Sequence, residues 1–380
     1  MSDRRHLFHV FPTFAVGGVQ ARFARIANAL GRRYRHTILA MDGDYAAAGR
    51  LGPDVDFQLR DDIACPKRRT LTNALAFRRI LAEERPDLLV TSNWGALEWA
   101  LANTPRVVPQ VHMEDGFGPE EAARQIARRV WLRRLTLGGK LVVVASSTLE
   151  TIARETWRIP PAQLRFIPNG VDSARFARPP DTERAALLGD PADGPLIGTV
   201  AGLRPEKNLL RLVDAFALIN EKLPSRLAII GDGPERPAVA ARAEALGVES
   251  RVFMPGYLDD PAAILGAFDV FMMSSDTEQA PVSLIEAMAA GLAVAAPAIG
   301  DIAEMVAAAN RPCIVPADAR SLSEAALALL SDAALRKRIG EDNKARSLAV
   351  FSEAATIERW KAIWDGDFSA VPDRPETDMR

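Results

Sequence analysis

The stretch DVFMMSSDTEQAPVSLIEAMAAGLAVAA, residues 269–296, decides how this chain is read. Asp269–Met273 opens it with an apolar run, and Leu292–Ala296 closes it with another. Short continuous apolar runs bounded by turn residues mark strands buried on both faces of a parallel sheet. Between them the pattern predicts a loop and one helix. Pro281 suits a first helical turn, where its missing N–H costs nothing, and Gly291 suits the place just past the helix end. Glu278 then falls on the loop, and Glu286 lies inside the helix near its start.

Open N–H groups at such a helix start, around Ala280, Pro281 and Val282, can hold phosphate or sugar oxygens. A carboxylate on either side can take two vicinal hydroxyls at once. The stretch therefore reads as a holder for a molecule with phosphate in its middle and hydroxyls at both ends. Residue types alone equally allow an ordinary strand–helix–strand connection with two solvated glutamates.

The spacing adds a resemblance. Glu278, seven residues, then Glu286 followed by Ala287-Met288-Ala289-Ala290-Gly291 resembles the E-x7-E signature of retaining glycosyltransferases in the large family numbered four, glycosyl transferases group 1. The resemblance implies an α/β fold of two Rossmann-like domains facing across a cleft, the GT-B architecture. It also implies that Glu278 contacts the transferred sugar and Glu286 the ribose of a nucleotide. Gln279-Ala280-Pro281 stands where the family usually has Gly-Phe-Gly.

The 380 residues suffice for two domains with full cores. No apolar run reaches the roughly 18 residues of a membrane span, and the start lacks a signal peptide's apolar region, so a cytoplasmic location is expected. Cys65 and Cys313 form no Cys-x-x-Cys pair, which argues against a zinc knuckle or a disulfide framework. Residues 1–170 hold 25 basic and 17 acidic side chains, a net +8 against −10 in the remainder. That asymmetry can steer an anionic partner to the first half, or simply reflect arginines scattered over solvated helices. No basic run with interleaved aromatics suggests nucleic acid.

The first half alternates strands and helices, which predicts a doubly wound parallel sheet. Strand His6–Val10 leads through Gly17-Gly18 into a helix from Val19 to Leu30. In the resembled family such a Gly-Gly loop lets the backbone approach the donor diphosphate or the acceptor; a tight turn without a ligand fits the residues as well. Strands follow at Thr37–Met41, Val55–Leu59, Asp87–Thr91, Arg106–Val111 and Leu141–Ala145, with helices at Leu71–Glu84, Ala96–Asn103, Pro119–Leu137 and Ser147–Trp157. Asp42-Gly43-Asp44 superficially matches a metal-holding Asp-x-Asp but reads as a turn. His112 ends a strand and opens Met113–Gly118, where ligands meet an open α/β sheet. The resemblance puts a donor-sugar contact there, and Glu114 and Asp115 can approach an acceptor hydroxyl. Arginines around Trp131 on the Pro119–Leu137 pattern fit either a solvated face or peripheral contact with an anionic membrane.

Pro168-Asn169-Gly170-Val171-Asp172 resembles the family's hinge, dividing an acceptor-side domain, 1–170, from a nucleotide-sugar domain, 171–350. In the second, Arg204 and Lys207 follow strand Leu196–Ala201, where two cations can hold a diphosphate without metal. The family's arginine would stand at Gly202. Gly231-Asp232-Gly233-Pro234 resembles the family's Gly-x-Gly-Pro loop, and Tyr257 and Leu258 follow a strand where its backbone usually meets the base. The family's last helix, here 351–366, crosses back to the first domain, and 367–380 is read as a mobile tail.

The expected activity is metal-independent, cofactor-free transfer of a hexosyl group, with retention, from a nucleotide sugar (UDP-sugars being commonest in the family) to a glycan or glycolipid. Its rivals are a nucleotide-sugar epimerase or hydrolase of the same fold, and a non-catalytic nucleotide-sugar-binding protein.

Overall fold

The computed structural model describes residues 4–66, 69–117, 121 and 125–372, in two compact units. Residues up to 169 join 355–372 in one unit, and 170–354 form the other. Of the predicted helix from Pro119 and the predicted tail, residues 118–120, 122–124 and 373–380 lie outside this description.

The first unit is built on β1 (His6–Phe11), β2 (Arg35–Ala40), β3 (Asp56–Leu59), β4 (Leu88–Ser92), β5 (Gln110–Glu114), β6 (Leu141–Val144) and β7 (Leu164–Phe166). All pair in parallel, in the order β3-β2-β1-β4-β5-β6-β7. Helices Gly18–Leu30 and Thr70–Glu84 lie near their expected places. The predicted strand at Arg106 begins four residues later. Asn103 Oδ1 takes the N–H groups of Val107 and Val108 at 2.7 and 3.1 Å, and Pro109 has none to give, so ladder pairing starts at Gln110. His112 is thus the central residue of β5 and not a strand terminus. The predicted helix from Ser147 is capped by Ser146, which accepts from Leu149 N, but turns to π geometry over Ile152–Thr156.

The other three histidines are core residues. His9 Nε2 lies 3.0 Å from His36 Nδ1, His6 Nε2 lies 2.8 Å from Thr37 Oγ1, and His9 and His36 pack among Phe23, Tyr34 and Trp364. Trp364 comes from the last helix, Glu353–Asp365, which with Trp360 and Ile363 completes this core. Beyond it Phe368–Ala370 makes a helical turn, and Val371 is buried.

The second unit carries β8 (Leu196–Val200), β9 (Arg226–Ile230), β10 (Val252–Gly256), β11 (Val270–Met272), β12 (Ala293–Pro297) and β13 (Ile314–Val315). Their order is β10-β9-β8-β11-β12-β13, again all parallel. Each unit is a Rossmann-like domain. No described helix is long and apolar enough to cross a membrane.

Candidate active site

In the second sheet β8 is followed on one side by β9 and on the other by β11, so the order reverses between β8 and β11. At such a reversal the loops leaving the two strands diverge and open a crevice at their carboxyl ends, where open α/β sheets bind ligands. The loop after β8 supplies Lys207 and the loop after β11 supplies Glu278. Lys207 Nζ donates to Glu278 Oε1 at 2.5 Å, and Ser275 Oγ donates to the same oxygen at 2.8 Å. A small crevice lies against them, lined also by Thr199, Val200, Ser274 and Ser283.

Both loops are held from behind. Ser274 Oγ donates to the Lys207 carbonyl at 2.9 Å. Arg211 donates to the Ser274 carbonyl and to Asp276, and Asn208 Nδ2 also reaches Asp276. Asp276 N donates to the Glu206 carbonyl at 2.9 Å. The loop after β12 braces Glu278 through Gly300, whose φ is +50°. A Cβ there would stand 2.1 Å from the Glu278 carbonyl oxygen, and the next residue, Asp301, donates its N–H to the Gln279 carbonyl. Ser274, Ser275, Asp276 and Gly300 carry no role in the sequence reading, although their position at the reversal marks them.

Arg204 stands differently. Its side chain is 61% exposed, against 18% for Lys207 and 9% for Glu278, and its Nε lies 3.1 Å from Glu206 Oε1. That Nε also lies 3.5 Å from where residue 202 would carry a Cβ. The guanidinium thus folds back over the place of the arginine that the resemblance expects at Gly202.

The helix after the loop spans Val282–Ala289, with Pro281 as its extended N-cap residue and no side-chain cap, so its first N–H groups stay open. Glu286 is half-buried on its second turn, and Ala280 is half-buried before it. Gly231 ends β9 at φ +137°, where a Cβ would stand 1.9 Å from the Ala201 carbonyl oxygen. Its N–H donates to Gly256 O, so the exits of β8, β9 and β10 are stitched together. Tyr257 beyond β10 is 54% exposed, and Leu258 is half-buried.

In the first unit Gly17 is the extended N-cap of the helix Gly18–Leu30, and nothing lies within 4 Å of a Cβ added at Gly18. Neither glycine is demanded by its φ. His112 and Glu114 are completely buried on β5, with Thr91 Oγ1 2.9 Å from His112 Nδ1 and Arg133 Nε 3.2 Å from Glu114 Oε2. Asp115 is engaged by Arg22 at 2.6 Å, and Arg22 also donates to Asn169 Oδ1 at 2.6 Å. The Asp-x-Asp look-alike spends its carboxylates on its own turn, accepting from Asp44 N and Ala46 N. Cys65 and Cys313 are free thiols.

Comparison with known proteins agrees with this geometry. Residues 16–175 match the family described as Glycosyltransferase Family 4, and residues 182–346 match Glycosyl transferases group 1. The chain is 30% identical over 214 residues to the 2-deoxystreptamine N-acetyl-D-glucosaminyltransferase of Streptomyces fradiae, covering 54% of this chain and 50% of that one. It is 27% identical over 241 residues to the UDP-Gal:alpha-D-GlcNAc-diphosphoundecaprenol alpha-1,3-galactosyltransferase of Escherichia coli, covering 59% and 61%. The matches thus span about half to three fifths of these relatives. Among solved structures, Anabaena HepE in complex with UDP-glucose superposes with a TM-score of 0.79 at 19% identity, over 95% of this chain and 99% of its own. WaaG, a glycosyltransferase involved in lipopolysaccharide biosynthesis, does so with a TM-score of 0.71 at 20% identity, over 95% and 100%. With two Rossmann-like domains, the glutamate pair at the strand-order reversal and family matches over both halves, the chain belongs to the group 1 glycosyltransferases.

Proposed function

We propose that the protein transfers a hexosyl group from a nucleotide sugar, a UDP-sugar first among candidates, to a glycan or glycolipid acceptor, with retention and without metal. The observation that carries this reading is the contact between Lys207 and Glu278, drawn from two loops to the strand-order reversal of the second unit. As the pair stands, each charge compensates the other. A sugar diphosphate offers both a better match: phosphate oxygens for the ammonium and hydroxyls for the carboxylate.

When the bond from the anomeric carbon to the diphosphate breaks, positive charge grows on the sugar and negative charge on the leaving oxygens. Lys207, Arg204 and the open N–H groups at Val282 stabilise the leaving group, a task usually worth on the order of 3 kcal/mol per donor. Glu278 holds the sugar, while Glu286 binds the ribose. Gly231, Tyr257, Leu258, Ala280 and Pro281 border the nucleotide. In this reading the first unit serves the acceptor and the sugar through Gly17, Gly18, His112, Glu114 and Asp115. The acceptor attacks from the face that the phosphate leaves, and the phosphate takes its proton.

The relatives' described activities, on 2-deoxystreptamine and on GlcNAc-diphosphoundecaprenol, and HepE's complex with UDP-glucose support this choice of substrates. Trp131 and Leu135 stand exposed one turn apart beside Arg128 and Arg134, which supports peripheral contact of that helix with an anionic bilayer.

The test is product analysis with a panel of nucleotide sugars, with and without a sugar acceptor. Glycoside formed only with acceptor, its anomeric configuration that of the donor, is the expected result. Free sugar or an epimer regardless of acceptor would replace the proposal with hydrolysis or epimerisation, and inverted product would remove retention.

A further inference from the structure

Gln110, His112 and Glu114 alternate along β5 and therefore share one face of the sheet. Their side chains form a buried relay. Gln110 has its Oε1 taken by Asn103 Nδ2 at 2.9 Å, which turns its Nε2 toward Thr91 Oγ1 at 3.0 Å. Thr91 Oγ1 accepts that bond and has one proton to give. Within its reach are His112 Nδ1 at 2.9 Å and the Val111 carbonyl at 3.5 Å. Placing the proton on the shorter contact leaves Nδ1 accepting and puts the imidazole's own hydrogen on Nε2.

Nε2 faces Glu114 Oε2 at 3.6 Å. Arg133 anchors that oxygen and is itself completely buried, its guanidinium 4.8 Å from the Trp157 ring centre and 5.2 Å from that of Trp94. Its Nη1 also lies 3.7 Å from Glu121 Oε1, so the guanidinium is buried among rings and two carboxylates. His112 Nε2 and Glu114 Oε1 are both buried and lack a hydrogen-bond partner among the described residues. Leaving two such groups unmet is costly, and a neighbouring donor and acceptor are what one hydroxyl satisfies.

We propose that Thr91 and Arg133 are positioning residues. Thr91 fixes His112 as the Nε2–H tautomer, Arg133 holds the Glu114 carboxylate beside it, and the pair receives one hydroxyl of a sugar substrate, accepting from Nε2–H and donating to Oε1. The last step rests on the sugar-transfer reading above; the tautomer does not.

The tautomer is read from long-range nitrogen–proton correlations of the imidazole in the full chain, with His112 assigned by the signal lost in H112Q. The Nε2–H pattern is expected in the wild type, with loss of the preference in T91V and its return in T91S. In turnover assays T91V is expected to lower kcat about tenfold, the worth of one lost hydrogen bond, with KM for the donor almost unchanged and kcat recovered in T91S. An Nδ1–H or doubly protonated ring in the wild type overturns the assignment. So does a T91V protein that matches the wild type in both readouts. The expected tautomer in a protein that transfers no sugar would overturn the hydroxyl's role together with the sugar-transfer reading.

Discussion

Gly300 shows how a residue without chemistry of its own can decide a site. At φ +50° and with a Cβ position 2.1 Å from the Glu278 carbonyl, it admits no side chain unless the Glu278 loop moves. Gly300→Ala is expected to lower stability by about 1–3 kcal/mol, the usual cost of such a backbone conflict. Activity should fall well beyond what the unfolded fraction explains, and denaturant melts run beside turnover assays separate the two effects. Arg204 makes the opposite case, since its side chain is exposed and little structure depends on it. If its guanidinium serves the leaving group from over Gly202, Arg204→Ala should lower kcat about a hundredfold with an unchanged melting temperature. A loss of less than twofold would show that Lys207 and the helix start suffice.

At the scale of elements, β1 and β2 bury His9 and His36 among aromatic rings on one face of the sheet and His6 beside Thr37 on the other. Burial pushes His36 from 6.5 down to about 4; burial, with Arg35 nearby, does the same to His6; and burial and the neighbouring His36 hold His9 well below its usual range. Well above pH 6.5 these rings are neutral in both folded and unfolded chains and add no pH dependence. As pH falls toward 4 the unfolded chain takes up protons that the folded one refuses, so stability drops. Each ring should cost on the order of 2 kcal/mol by pH 5. Urea midpoints at pH 7 and pH 5 check this, and a folded state equally stable at both would refute it.

The same strands show what was legible in the sequence. Apolar runs alternating with helical patterns located most strands and the principal helices, because parallel strands buried on both faces leave a continuous signal. Two things stayed hidden. The start of β5 depends on a side chain, Asn103, that takes the N–H groups of Val107 and Val108. The burial of Gln110, His112 and Glu114 depends on Asn103, seven residues from Gln110, and on Thr91 and Arg133, each 19 residues from a partner along the chain. In the second unit the E-x7-E spacing picked out Glu278, and the strand end before it picked out Lys207. Arg204's turn toward Glu206 is a local loop conformation, and the Ser274–Asp276 lacing behind the pair is a tertiary one; no spacing encodes either.

For the whole molecule, residues 1–170 carry a net +8 and the remainder −10. Trp131, Leu135, Arg128 and Arg134 belong to the basic part. The protein is therefore expected to sediment with anionic lipid vesicles and not with neutral ones, to be released by salt, and to bind less when Trp131 is replaced by Ala. Equal behaviour on both vesicle types would remove membrane contact from the account and leave sugar transfer untouched.

The central claim is narrower, that Lys207 and Glu278 together grip a sugar diphosphate at the strand-order reversal of the second unit. Its most direct measurement is the rate of nucleotide diphosphate release from the accepted nucleotide sugar, in wild type and in Lys207→Ala, with folding verified by thermal melts. The account predicts a loss of about a hundredfold or more in the variant. A folded Lys207→Ala protein that turns over its donor at the wild-type rate would contradict it.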